Sequence, residues 1–295
     1  MSKGASTGMP ATMRKASWSV ARLYRWMLLA PALFLAAFFV FPILRVVLRS
    51  FSDPAWGVQN YERIMAGGPY LQVLLATIQT AATVTALCLL LAYPVAYVMS
   101  RLSGSLLQIA AACVIIPLWT SAVIRSYAWM VVFQRKGILN EALIGSGVLD
   151  DAIRFLPGSF AVHVGMVHIM LPFMILPLLA NMRAIDRSLL RAAEIMGASP
   201  LTAFAKVYFP LSMPGVSAGV ALVFMMSLGF FITPALLGGP QHLMAAVLIE
   251  QQANVLLDWG LASALATVLL VVTGAMYVLY MRLTGNATGN LKGAL

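Results

Sequence analysis

The stretch RAAEIMGASPLTAFAKVYFPLSMPG, from Arg191 to Gly215, is moderately polar and lies between two long apolar runs. Its pattern predicts a helix, a turn and a second helix. The first helix is expected to break at Ser199-Pro200. Pro210 and Pro214 are expected to end the second helix, because proline has no N–H for the helical hydrogen bond.

The composition of the whole chain is typical of a membrane protein. Of its 295 residues, 61% are hydrophobic and 9% are charged, and the mean hydropathy is +0.91. Soluble domains carry roughly 25% charged residues, so most of this chain is predicted to lie in lipid. The net charge of +10 does not indicate nucleic acid as a partner, because the basic residues cluster beside apolar runs.

Six apolar runs are long enough to cross a bilayer as helices, which takes about 20 residues each. They are Trp26 to Val47, Leu71 to Met99, Leu106 to Phe133, Phe160 to Met182, Met213 to Leu237 and Leu261 to Met281. The predicted fold class is therefore an all-α membrane protein with six transmembrane helices. We expect a basic tail over residues 1–25, a six-span domain over residues 26–283 and a second tail over residues 284–295.

Six spans place both termini on one side of the membrane, and the charges indicate which side. Twelve of the 19 Lys and Arg residues fall there, with only two acids, Asp186 and Glu194. The basic residues are Lys3, Arg14, Lys15, Arg22, Arg25, Arg101, Arg183, Arg187, Arg191, Lys206, Arg282 and Lys292. Because cytoplasmic loops are enriched in Lys and Arg, both termini and the Arg191 segment are expected to be cytoplasmic.

Catalytic motifs do not occur in the sequence in a context in which they could function. The chain has no Gly-Lys dipeptide, and so no P-loop, and it has no H-E-x-x-H and no C-x-x-C. We therefore expect a non-catalytic subunit without a cofactor or metal, and any ATP hydrolysis on separate subunits. GVSAG, from Gly215 to Gly219, matches a hydrolase pattern but lies in an apolar helix. It is better interpreted as a small-xxx-small face that lets helices approach closely.

The Arg191 segment resembles the EAA loop in the permeases of ATP-binding-cassette importers. That loop has the pattern E-A-A, three residues, Gly, nine residues and I-x-L-P. Matching positions here are Gly197, Val207, Phe209 and Pro210. The segment departs from the family at Arg191, where Glu is usual, and Glu194 follows one turn later.

The resemblance implies that residues 183–212 form a cytoplasmic coupling loop that docks on an ATPase subunit. A helix that docks in a groove needs a complementary surface, and Ala192, Ala193 and Gly197 are expected to give one smooth patch. The coupling residues implied are Arg191, Ala192, Ala193, Glu194, Gly197 and Pro210.

Two more segments indicate which kind of importer permease the chain resembles. They are IIPLWTSAVIRSYAW, from Ile115 to Trp129, and LGFFITPALLGGP, from Leu228 to Pro240. Both resemble the first of the two permeases in spermidine/putrescine-type importers, and the similarity runs from the first span to the sixth. It implies a type I (MetI-like) permease in the bacterial inner membrane.

The partners that this resemblance implies are a second homologous permease, two ATPase subunits that hold ATP and Mg, and an extracytoplasmic solute-binding protein. The expected solute is a polyamine. An amino acid, an opine or an aminophosphonate is the alternative within the same class.

Polar residues in apolar runs indicate the translocation pathway. A charge at a helix centre, such as Arg125, costs about 2.5–3.5 kcal/mol on insertion scales. Arg125 is therefore expected to face a wet cavity or a partner helix, to snorkel outward, or to pair with a carboxylate such as Glu250 or Asp258. Thr233-Pro234 is expected to break the fifth span, as in transporters whose broken helices line a cavity. The predicted pathway residues are Trp119, Ser121, Arg125, Tyr127, Thr233, Glu250 and Asp258.

One rival class is a secondary transporter driven by an ion gradient, and a second is a channel or a purely structural membrane subunit. Secondary transporters commonly carry internal repeats and buried acidic relays, and the sequence shows neither. A channel would leave the coupling segment without a purpose.

Overall fold

A computed structural model describes residues 26–292, with side chains described through residue 282. The predicted tail over residues 1–25 lies outside this part of the chain. Within the described residues every regular element is helical. The helix of the sixth span runs on to Lys292 and so takes in the backbone of residues 284–292.

The helices are numbered α1 to α12 in chain order. They are α1 (Trp26–Ser52), α2 (Gln59–Met65), α3 (Pro69–Arg101), α4 (Gly104–Trp119), α5 (Ala122–Phe133), α6 (Ile138–Gly145), α7 (Ser159–Ala184), α8 (Ser188–Ile195), α9 (Pro200–Leu228), α10 (Ile232–Leu237), α11 (Ala245–Glu250) and α12 (Trp259–Lys292).

Five of the described helices are long and apolar enough to cross a membrane: α1, α3, α7, α9 and α12. A sixth span is obtained when α4 and the segment Ala122–Gly145, which are bent by 96° relative to each other, are counted together. The predicted six-span, all-α fold is confirmed on this count.

The predicted third span is not one straight helix. α4 ends at Trp119, where the Thr120 hydroxyl donates to the Pro117 carbonyl over 2.7 Å. Ser121 then accepts the Val123 N–H at its side-chain oxygen over 3.2 Å and caps the start of α5. Each of these hydroxyl groups bonds a backbone group that the helix would otherwise use, so the chain turns between them.

The centre of the fold is the packing of α3, α7 and α9. Fully buried side chains include Met166, Met170, Met174 and Leu178 on α7. A Cβ atom on Gly215 would lie 2.7 Å from Asn181 Cβ, and one on Gly219 would lie 2.7 Å from Met174 Sδ. The predicted small-xxx-small face is confirmed, since α9 approaches α7 at these two glycines.

The prolines of the segment quoted first do not end a helix. α9 is continuous from Pro200 to Leu228, so the expectation that Pro210 and Pro214 stop it is wrong. A π-helical turn at Phe204–Tyr208 precedes Pro210, and Phe209 donates to the Phe204 carbonyl there. The wider turn changes the hydrogen-bond pattern just where Pro210 has no N–H to donate.

The break in the fifth span also differs from the prediction. α9 ends at Leu228 and α10 begins at Ile232, so the chain breaks before Thr233-Pro234 rather than at it. Pro234 lies in the first turn of α10, where backbone N–H groups have no helical partner and proline is tolerated.

Candidate coupling segment and translocation pathway

The coupling helix α8 has defined signals at both ends. At its start, the Asp186 carboxylate accepts the Ser188 N–H over 2.8 Å, and this hydrogen bond lowers the pKa of Asp186. At its end, the Gly197 N–H donates to the Glu194 carbonyl and the Ala198 N–H donates to the Ala193 carbonyl. Gly197 has φ +89°. This is the αL turn that glycine forms at low cost, so Gly197 acts as a helix stop.

The next helix begins immediately after this turn. Ser199 accepts the Thr202 N–H at its side-chain oxygen over 3.3 Å, and Pro200 is the first residue of α9. The predicted helix, turn and second helix are therefore present.

The exposed surface of the turn is formed by large apolar side chains rather than by the small ones that were predicted. Ala193 is buried, so the expectation that it shares one small exposed patch with Ala192 and Gly197 is wrong. The side chains that project from the turn are instead 77–86% exposed. They are Ile195, Met196 and Leu201, and they are called the apolar tip below. Contiguous exposed apolar side chains of this kind mark an interaction surface.

Three hydrogen bonds fasten the coupling segment to the membrane helices. Arg187 Nη2 donates to the Ser100 carbonyl oxygen at the end of α3 over 2.9 Å. The hydroxyl groups of Ser100 and Tyr208 lie 3.3 Å apart. Deeper in the membrane the hydroxyl groups of Tyr93 and Ser212 lie 3.0 Å apart.

Four aromatic rings fill the space between these hydrogen bonds, and we call them the aromatic anchor. The members are Tyr93 and Tyr97 on α3 and Phe204 and Tyr208 on α9. Tyr97 meets Phe204 edge-on at 5.5 Å and Tyr208 at 5.2 Å, and Phe204 stacks on Tyr208 at 5.6 Å. The sequence analysis missed this group, although each pair is spaced four residues apart and so shares a helix face.

At one junction, the predicted pathway residue Thr233 on α10 meets α5 at Ser126, which is not among the predicted pathway residues. The hydroxyl groups of Ser126 and Thr233 lie 2.8 Å apart, and both residues are buried. On the neighbouring helix α7, a Cβ on Gly165 would lie 2.7 Å from Thr233 Cγ2 and 3.0 Å from Leu237 Cδ1. Gly165 thus allows α10 to sit against both α5 and α7.

Arg125 lies beside this junction. Its Nε and Nη1 atoms are buried and find no hydrogen-bond partner among the described residues. Both ion pairs of the described residues involve other arginines, so the predicted pairing of Arg125 with Glu250 or Asp258 is not observed. One turn further, Trp129 Nε1 donates to His168 Nδ1 over 3.1 Å.

The other predicted residues of the third span are open to the surroundings. Trp119 is 85% exposed and Tyr127 is 52% exposed. Ser121 is also exposed and caps α5. Trp119, Ser121 and Tyr127 thus lie at or near the bend between α4 and α5.

Glu250 and Asp258 belong to the segment that follows α10. α11, which ends at Glu250, packs against α3 and α12, and the Ala245 N–H donates to Thr77 Oγ1 over 2.8 Å. Asp258 Oδ2 lies 2.9 Å from Arg63 Nη1, and this hydrogen bond raises the pKa of Arg63. Asp258 Oδ1 also accepts the Leu261 N–H over 3.1 Å and so caps α12.

A resident metal site is not evident in the described residues, where no three His, Cys, Asp or Glu side chains are grouped so as to hold an ion. The polar groups at the junction are hydroxyl, indole, imidazole and guanidinium groups. Such groups can bind and orient a solute by hydrogen bonds.

The six apolar spans, the broken third and fifth spans and the coupling segment define a membrane permease. More specifically, the chain belongs to the family described as binding-protein-dependent transport system inner membrane component, whose family model matches residues 4–285. It is a permease subunit of an ABC importer in the inner membrane.

Individual relatives agree with this family. The chain is 36% identical over 233 residues to the spermidine/putrescine transport system permease protein PotB of Escherichia coli (strain K12). The alignment covers 79% of this chain and 84% of that protein. It is 27% identical over 274 residues to a putative 2-aminoethylphosphonate transport system permease protein, PhnU, of Salmonella paratyphi A, covering 90% and 92%.

A solved structure shares the fold. A chain of a bacterial alginate ABC transporter, in complex with an alginate pentasaccharide-bound periplasmic protein, matches with a TM-score of 0.74 at 16% identity, covering 93% of this chain and 96% of that one. The predicted resemblance to the MetI-like and spermidine/putrescine permeases is confirmed. The solutes named for these three proteins differ.

Proposed function

We propose that this permease imports a polyamine, in an assembly with a second homologous permease, two ATPase subunits and an extracytoplasmic solute-binding protein. Both termini and the coupling segment face the cytoplasm. ATP and Mg bind to the ATPase subunits, and this chain carries the solute path.

The fastened coupling segment is the observation that supports this function. Its apolar tip, formed by Ile195, Met196 and Leu201, projects outward, where a partner groove would cover it. The same segment is held to α3 by Arg187 and the aromatic anchor. A displacement of the tip is therefore passed to two membrane helices together.

Transport follows from two states of the assembly. Closure of the ATPase dimer on ATP moves the coupling segment and favours the state in which the cavity faces outward. Hydrolysis returns the spans to the inward-facing state. The loaded binding protein adds to the bias because it binds one state better than the other.

The polyamine is supported by the relatives at 36% identity and by the residues on the outer half. Trp119 and Tyr127 are exposed aromatic rings that can bind an alkylammonium group by cation–π contact. Glu250 and Asp258 would supply carboxylates at the entrance.

A second candidate is a solute that carries an anionic group, such as an aminophosphonate, an amino acid or an opine. Arg125 favours it, since two buried nitrogen atoms of its guanidinium group have no hydrogen-bond partner among the described residues and suit a carboxylate or phosphonate. The relative at 27% identity is consistent with this candidate.

ATPase activity of the reconstituted assembly distinguishes the two candidates. The assay uses the cognate binding protein with spermidine, putrescine, amino acids and 2-aminoethylphosphonate. We expect stimulation by a polyamine. Stimulation by an anionic or zwitterionic solute alone would overturn the polyamine and keep the importer.

Variants at Arg125 sharpen the test. For an anionic solute, Arg125→Gln should raise the half-saturating solute concentration about tenfold or more, as expected for loss of a charge-assisted hydrogen bond. For a polyamine it should not raise that concentration. Arg135→Gln, an exposed arginine two residues past α5, is the matched control.

Solute accumulation driven by an ion gradient alone would distinguish the remaining rival class, a secondary transporter, from an ATP-driven importer. Solute accumulation in proteoliposomes that contain a proton or sodium gradient but no ATP would indicate a secondary transporter. Accumulation only with ATP and the ATPase subunits supports the importer.

A further inference from the structure

The end of α1 forms a positively charged cavity with the start of α12. The cavity has a volume of about 660 Å³. One side is closed by Ile249 of α11 and by Ala253, in the π-helical turn Gln251–Val255 that follows α11. Arg45 and Arg49, one turn apart on α1, line it together with Trp56 and Trp259. None of these residues belongs to the coupling segment or to the junction at Thr233.

The charges in this cavity are not balanced. Arg49 Nε pairs with Asp53 Oδ2 over 3.0 Å, and its guanidinium group lies 4.8 Å from the Trp259 ring centre. Arg45 lies 5.8 Å from the Phe41 ring centre and has no carboxylate partner within 4 Å among the described residues. Two arginines against one aspartate leave a net positive charge beside lipid.

The position of the cavity along α1 matches the headgroup level of a bilayer. α1 rises 1.5 Å per residue, so Arg45 lies about 28 Å along the helix from Trp26, close to the hydrocarbon thickness of about 30 Å. Trp56 is 77% exposed, and tryptophan is enriched at this interface. Ser100, which contacts the coupling segment, ends α3 on the opposite side, so the cavity lies in the leaflet away from that segment.

We propose that this cavity binds the phosphodiester group of a phospholipid in the leaflet opposite the coupling segment, with anionic lipids preferred. Arg45 and the free Nη atoms of Arg49 bind the phosphate oxygens as charge-assisted donors. The acyl chains lie along the apolar part of α1, where no residue is buried within this chain. Ala262 and Ala266 keep the wall on α12 small enough to admit the headgroup.

Lipid retention by the purified assembly tests the site. The assembly is incubated in mixed micelles with phosphatidylglycerol or with an uncharged glucosyl diacylglycerol of the same acyl chains. After gel filtration the lipids that remain bound are counted by mass spectrometry. We expect selective retention of phosphatidylglycerol, with affinity about fivefold weaker for each arginine replaced in Arg45→Gln and Arg49→Gln.

Matched variants keep the test specific. Arg135→Gln removes an exposed arginine outside the cavity and should retain the lipid fully. Arg45→Lys keeps the charge and should retain most of it, which separates a binding defect from a folding defect. Equal retention by the wild type and the double glutamine variant, or an equal loss with Arg135→Gln, would overturn the proposal. Displacement by millimolar inorganic phosphate would instead identify a site for free anions and would also overturn it.

Discussion

Arg187 Nη2 lies 2.9 Å from the carbonyl oxygen of Ser100 and joins the loop before the coupling helix to the last turn of α3. The carbonyl groups in the last turn of a helix have no partner within the helix. A guanidinium group is a strong donor for such a group, and it also complements the negative end of the helix dipole. The contact therefore fixes where the coupling segment meets the membrane helices.

Arg187→Ala should weaken coupling more than assembly. Hydrogen bonds to charged groups contribute about 1.5–3 kcal/mol, and partial exposure of this one places the expected fall in solute uptake per ATP at about three- to tenfold. Uptake and ATP hydrolysis are measured together in proteoliposomes. Arg183→Ala, an exposed arginine at the end of α7, is the control and should behave as the wild type. Equal ratios of uptake to hydrolysis in all three proteins would contradict the role of Arg187.

Gly215→Ala should destabilise the fold. Its new Cβ would lie 2.7 Å from Asn181 Cβ and 3.1 Å from Asn181 Cγ, so α9 would have to move away from α7. Overpacking of this kind costs about 1–3 kcal/mol. Thermal unfolding in detergent should show a lower Tm.

Gly274→Ala is the control for that change, because a Cβ there meets nothing within 4 Å. In a helix interior, alanine is favoured over glycine by about 0.5–1 kcal/mol, so the Tm should stay the same or rise. A similar fall in Tm for both variants would show that the contact at Gly215 is not specific.

Thr233→Val should cost about 1 kcal/mol of unfolding free energy, since it removes the buried hydrogen bond with Ser126 while keeping the shape of the side chain. Thr273→Val is the comparison, because its hydroxyl bonds only the Leu269 carbonyl of its own helix. The coupling energy between Thr233→Val and Ser126→Ala in a double-mutant cycle measures the contact itself. A coupling energy near zero would argue against it.

Arg63→Gln and Asp258→Asn each break the same ion pair, and asparagine still caps α12 well. Because the pair is partly exposed, each change should lower stability by less than about 1 kcal/mol, and by a similar amount. The two variants should differ in transport. A higher half-saturating solute concentration with Asp258→Asn alone would support its predicted contact with solute, whereas identical transport would limit Asp258 to the ion pair.

Long apolar runs made the six spans predictable, because a run of about 20 apolar residues has few alternatives to a spanning helix. The turn at Gly197 was also predictable as a break, since the glycine and Ser199-Pro200 are local signals. The continuity of α9 through Pro210 and Pro214 was not. It depends on a π-helical turn that forms within the packed aromatic anchor, and no local pattern specifies that turn.

The site was predictable in part. Thr233 and Arg125 were singled out by their polarity within apolar runs, and the structure joins Thr233 to Ser126, the residue next to Arg125. The ion pair of Asp258 with Arg63 was not visible, because its two residues are brought together only by tertiary packing. Arg63, the partner of Asp258, is 195 residues away along the chain.

The unbroken length of α9 determines how far one end of the helix moves when the other end is displaced. Its 29 residues span about 44 Å at 1.5 Å per residue, more than the hydrocarbon layer. A tilt of about 10° around Tyr208 would swing Leu228, about 30 Å further along the helix, by about 5 Å. In the proposed importer, α9 would turn about a point near Tyr208, so a small displacement of the coupling segment would move the opposite end of the helix further.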